Sequence, residues 1–104
     1  VLAFTSPKEG WGITNLEAAA CATPVVASSS PGLRESVVDG ETGYLVPHGD
    51  VPALVRALER VVSDPSLVAS LGATARTFAS RFTWEAAAEQ TEAHLESVIA
   101  GRAA

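Results

Sequence analysis

The chain has a single cysteine, Cys21, and no apolar run that approaches the ~20 residues a helix needs to span a bilayer. One thiol cannot close an internal disulfide, so a disulfide framework is excluded. Charge is scarce as well: 18% of residues are ionisable Asp, Glu, Lys or Arg, with a net charge of −5. The seven basic residues are scattered, which argues against nucleic acid or an anionic membrane surface as partners. His48 and His94 stand outside any cluster with Cys or acidic residues, so no metal site is expected. The run Ser28-Ser29-Ser30 has no matching His/Asp pair and offers no nucleophile triad. No signal-peptide pattern is present, and the cytoplasm is the expected compartment.

What remains is an apolar chain of 104 residues, 47% hydrophobic, enough for one small domain with a modest core. Strand and helix patterns alternate along it, as in a parallel α/β sheet. Val1 to Phe4, Pro24 to Ala27 and Gly43 to Val46 read as strands. Helices are expected from about Gly12 to Ala22 and, briefly, from Leu33 to Val38. Asp50 and Pro52 open a longer helix with Val51, Leu54, Val55, Leu58, Val61 and Val62 in an i, i+3, i+4, i+7 stripe. Asp64-Pro65 restarts a helix that turns Leu67, Val68, Leu71 and Phe78 inward. Thr83 caps a last helix over 83–100, with Trp84, Ala88, Leu95, Val98 and Ile99 on its apolar face; Gly101 to Ala104 are expected to fray. The chain starts directly in an apolar strand with no initiator Met, the opening expected of a piece of a larger protein.

The densest signal lies early. Glu9 and Glu17 bracket seven residues in Glu9-Gly10-Trp11-Gly12-Ile13-Thr14-Asn15-Leu16-Glu17. Pro7, Gly10 and Gly12 make a loop that leads into a helix N-terminus, where unpaired N–H groups and the positive dipole end hold anions. Eight helical steps would separate the two glutamates by ~12 Å. A retaining glycosidase instead needs its carboxyl groups ~5–5.5 Å apart. The pair therefore suits the two ends of one elongated ligand with an anionic middle, such as a nucleoside diphosphate sugar. Glu17, next to Leu16 and an alanine run, is expected in surroundings where its charge needs a partner.

These residues resemble a known family. The stretch Ser6-Pro7-Lys8-Glu9-Gly10-Trp11-Gly12-Ile13, Glu17-Ala18 and Ala22-Thr23-Pro24-Val25-Val26-Ala27-Ser28 is similar to the E-x7-E region of retaining GT-B-fold glycosyltransferases of the "group 1" type (family four). Gly40-Glu41-Thr42-Gly43-Tyr44-Leu45-Val46-Pro47 and Gly49-Asp50 continue the likeness, which covers essentially the whole chain. The family usually has Phe where this chain has Trp11, and Gly where it has Ala22. The resemblance implies a partial Rossmann-like α/β fold: half of the GT-B C-terminal domain, with about three parallel strands, flanking helices and a helical C-terminus. Residues 1–104 would form a single partial domain, the nucleotide-sugar donor-binding half. The acceptor domain and the upstream half of the donor domain would lie outside the chain.

By that resemblance the intact enzyme transfers a sugar from a UDP- or GDP-linked donor to an acceptor with retention, without metal or other cofactor, and lies in the cytoplasm or at the membrane periphery. Glu17 would take the ribose hydroxyls. Glu9, Gly10 and the backbone amides of Trp11, Gly12 and Ile13 would hold the donor sugar and diphosphate, with Thr14 at the phosphate. No residue is assigned as nucleophile or general base, and the chain alone is expected to be inactive. From the residues themselves, Trp11 either covers the sugar or plugs the core. Two further readings compete: a non-catalytic nucleotide- or sugar-binding module, and a structural fragment that dimerises through its strand edge or last helix.

Overall fold

The computed structural model describes residues 1–103. Three strands, β1 (Leu2–Phe4), β2 (Val25–Ser28) and β3 (Gly43–Val46), form one sheet in the order β1-β2-β3. Both pairings are parallel, with Leu2 opposite Val25 and Val25 opposite Gly43. Five helices accompany them: α1 (Ile13–Ala20), α2 (Leu33–Ser36), α3 (Val51–Val62), α4 (Pro65–Ala79) and α5 (Trp84–Ala103). This is the partial Rossmann-like arrangement expected.

Central β2 is buried at all four positions, as a parallel strand covered on both faces must be. Its alternation splits the core in two. Val25 and Ala27 pack with Leu33, Val37, Phe4 and Ala18 on the side of α1 and α2. Val26 packs with Val46, Val61 and Leu71 on the side of α3 and α4. Helix α4 packs on α1 and on the turn that follows it: a Cβ at Gly72 would run into the carbonyl of Ala22.

Helix ends follow local chemistry. The carboxylate of Asp50 accepts from the amide of Ala53 at 3.0 Å, that of Asp64 accepts from Ser66 and Leu67 at 3.1 Å, and Thr83 Oγ1 accepts from Ala86 at 3.0 Å. Three boundaries differ from the sequence reading. Helix α1 is shorter than Gly12–Ala22 because both of those residues adopt left-handed backbone, with φ of 89° and 57°. Helix α2 stops at Ser36 because Val37 is extended and the chain turns on Val38, whose amide donates to Thr42 Oγ1 at 2.9 Å. Helix α5 runs through Gly101 to Ala103; an exposed glycine costs only ~1 kcal/mol in a helix interior. The fraying expected at Ala104 falls outside the described residues.

The apolar stripe of α3 is only partly covered: Val61 is buried and Leu54 and Leu58 are half-buried, but Val51, Val55 and Val62 are exposed. Helix α5 is barer still, with Trp84 at 89% and Ile99 at 68% exposure. No helix among the described residues is long and apolar enough to cross a membrane.

Candidate functional site at the α1 N-terminus

In a parallel sheet, ligands meet the loops beyond the C-terminal ends of the strands. Here the loops after β1 and β2 are locked together at that edge. Ser28 Oγ donates to the carbonyl of Ser6 at 2.8 Å, and the amide of Glu9 donates to the carbonyl of Pro31 at 3.1 Å. Gly32, with φ at 85°, lies under the carbonyl of Glu9, where any Cβ would collide. Gly12 is equally constrained: its φ is 89°, and a Cβ there would stand 2.6 Å from Ser36 Oγ. The β1–α1 loop therefore rests on glycine at both of its close approaches.

Gly12 is also the N-cap of α1, and no side chain caps this helix. The first-turn amides of a helix lack intrahelical acceptors, so an uncapped start offers N–H groups and the positive end of the helix dipole to an anion. Residues Asn15, Leu16 and Ala19 face inward. Ile13, Thr14 and Glu17 are exposed, and their i, i+3 and i+4 spacing puts them on one face just beyond the loop. Glu9 is half-buried on the loop, Gly10 is exposed and Gly12 is buried. The residues expected at the site thus lie on the loop before α1 and on its first turns. One expectation is corrected: Glu17 is solvent-exposed, because the alanine run turns its inward face through Asn15, Leu16 and Ala19.

Trp11 is half-buried, with its ring edge-on to Phe82 at 4.9 Å between centroids and 74° between planes. The ring packs on Phe82, which is itself 44% exposed and outside both core clusters. Sequence reasoning missed the supporting roles of Asn15 and Ser36. Asn15 is fully buried and its Nδ2 donates to Ser36 Oγ at 3.1 Å, which in turn donates to the Leu33 carbonyl at 3.1 Å, so the first turn of α1 is tied to α2. Asn15 Oδ1 and Ser30 Oγ are buried without a hydrogen-bond partner. The signal for Asn15 was its place one residue before Leu16, in phase with the buried face. Among the described residues, no group of three or more His, Cys, Asp or Glu is gathered as a metal site would require.

The sequence and the fold both match known proteins. Residues 1–78 fit the family model described as glycosyl transferases group 1. The chain belongs to that family. A group 1 relative, the D-inositol 3-phosphate glycosyltransferase of Streptomyces bingchenggensis, is 42% identical over 91 residues, which are 88% of this chain and 20% of that protein. Among solved structures, sucrose-phosphate synthase from Thermosynechococcus elongatus matches 93% of this chain and 25% of its own, with a TM-score of 0.79 and 39% identity. Anabaena Alr3699/HepE in complex with UDP matches 91% of this chain and 27% of its own, with a TM-score of 0.81 and 31% identity. The group 1 chain described here thus spans about a fifth of the length of the curated relatives it matches.

Proposed function

We propose that this chain is the nucleotide-sugar donor-binding half of a retaining glycosyltransferase that transfers a sugar from a UDP- or GDP-linked donor to an acceptor. The observation that carries the reading is the uncapped start of α1 at the carboxyl edge of the sheet, with Glu9 before it and Glu17 one turn inside it. A UDP complex of the similar HepE chain supports the same ligand class. Glu17 takes the ribose hydroxyls from the exposed face it shares with Ile13 and Thr14. Glu9, Gly10 and the amides of Trp11, Gly12 and Ile13 hold the sugar and diphosphate, and Thr14 reaches a phosphate oxygen. No metal is called for, because helix-start amides and orientation supply the stabilisation of a leaving diphosphate. The acceptor side and the rest of the donor domain come from sequence outside these residues, and the chain alone is inactive.

Calorimetric titration with UDP, GDP and ADP tests this reading. Binding of one uridine or guanosine diphosphate at millimolar or tighter affinity, lost in Glu17→Ala, is the expected result. Equal binding by wild type and Glu17→Ala, in a chain shown to be folded, removes Glu17 from the site.

A second reading, a fragment that dimerises, is favoured by the bareness of α5, where Trp84, Leu95, Val98 and Ile99 are all exposed, and by the free outer edge of β1. Light scattering at increasing concentration decides it: a constant monomer mass rules dimerisation out.

A further inference from the structure

The loop that carries Glu9 is fastened at its two ends and nearly free between them. At one end Glu9 is held by Pro31 and seated on Gly32; at the other Gly12 is seated on Ser36. Between them Gly10 is exposed, and a Cβ built on it would meet nothing within 4 Å. The remaining support is the Trp11 ring. It stands against Phe82, and Phe82 stands edge-on to Phe78 at 5.1 Å and 77°. Phe82 itself is pinned to the end of α4, its amide donating to the Ala79 carbonyl at 3.1 Å. An aromatic buttress from the α4–α5 junction therefore reaches the loop from far along the sequence.

We propose that Phe82 is a positioning residue for the donor loop: its ring fixes Trp11, and so sets where the backbone of Trp11 lies between the two fastened ends. The proposal deepens the donor-binding reading and rests on it for its consequence in affinity. An edge-to-face pair has a preferred geometry that an aliphatic side chain of similar bulk does not reproduce. A residue that merely filled space would be replaced by Leu without effect; one that orients Trp11 through its ring needs an aromatic successor.

The test uses a Trp84→Phe background, in which Trp11 is the only tryptophan. Acrylamide quenching of Trp11 and calorimetric UDP affinity are measured for Phe82→Ala, Phe82→Leu and Phe82→Tyr, with far-ultraviolet dichroism as the check on folding. Expected are faster quenching and a loss of roughly 3- to 10-fold in UDP affinity for the Ala and Leu variants, with Tyr restoring both. Unchanged quenching in Phe82→Ala, or rescue by Leu as complete as by Tyr, overturns the proposal. If the parent binds no UDP the donor reading fails on its own, and the quenching series still decides: a pattern in which Ala and Leu loosen Trp11 and Tyr does not supports Phe82 as the buttress, and any other pattern overturns it.

Discussion

Gly32 sits directly beneath the carbonyl of Glu9, while the amide of Glu9 donates to Pro31, the residue before that glycine, at 3.1 Å. One short turn after β2 thus holds the Glu9 amide by a hydrogen bond and leaves room for its carbonyl, the latter only because position 32 has no side chain. Gly32→Ala faces two penalties, the steric collision and a φ of 85° that L-residues avoid. The variant is expected to lose nucleotide binding by at least tenfold, about the effect of a 1.4 kcal/mol misfit. Titration of a variant whose dichroism matches wild type checks this; retained affinity would show that the Glu9 loop tolerates displacement.

The reverse effect is expected at Ala22. Its φ of 57° closes the end of α1, where Thr23 donates to the Ala18 carbonyl at 2.9 Å. A left-handed conformation costs an L-residue roughly 1–2 kcal/mol, and glycine escapes it. Ala22→Gly should raise stability by about 1 kcal/mol, less the entropy a glycine adds to the unfolded chain. Urea unfolding measures it, and a lower midpoint would mean that the Ala22 methyl has a packing role.

Leu33 is fully buried, and its Cδ2 would lie 3.0 Å from a Cβ placed on Gly12. It belongs to the cluster with Val25, Ala27 and Val37 that joins α2 to the sheet. Leu33→Ala is expected to cost about 2–5 kcal/mol through lost burial and the cavity left behind. A cost below ~1 kcal/mol by denaturant unfolding would show that the core beneath the site collapses to fill the gap.

Two helix caps rest on aspartate carboxylates. Asp50→Ala removes the acceptor for Ala53 and should cost about 1 kcal/mol. Asp64 has its carboxyl pKa held below the ordinary value, chiefly by the hydrogen bond from the Leu67 amide and then by that from the Ser66 hydroxyl. A lowered folded-state pKa gives stability that is complete above the unfolded value and lost as pH falls through the folded one. The gap in melting temperature between wild type and Asp64→Ala should therefore be flat near neutrality and narrow below roughly pH 4. A gap that persists unchanged in strong acid would show that the neutral side chain caps equally well.

The caps show what was readable in the residues alone. Asp50, Asp64 and Thr83 act on amides two or three positions away, so each start was visible in a few letters, and β3 was found at its full length between the turn at Gly40 and Pro47. The loop before α1 was visible as a loop and a candidate site for the same reason: Gly10, Gly12 and Glu9 are neighbours in sequence. The exposure of Glu17 was not, because alanine serves either face of a helix and the way α1 turns is settled by its packing on α2 and α4. The contact of Trp11 with Phe82 depends on how α4 returns across α1, and no local pattern encodes that crossing.

Helix α5 has a hydrodynamic consequence. The chain has a radius of gyration of 16.4 Å, whereas a compact domain of this length has ~13 Å. The excess comes from a rod that stands off the body, so an element that contributes little to the core enlarges the radius that low-angle scattering reports. Any surface that comes to lie along Trp84, Leu95 and Ile99 changes the scattering profile in proportion to its own mass and position. Small-angle scattering would therefore report what sits on the helix without any label, using the shape of the chain itself as the gauge.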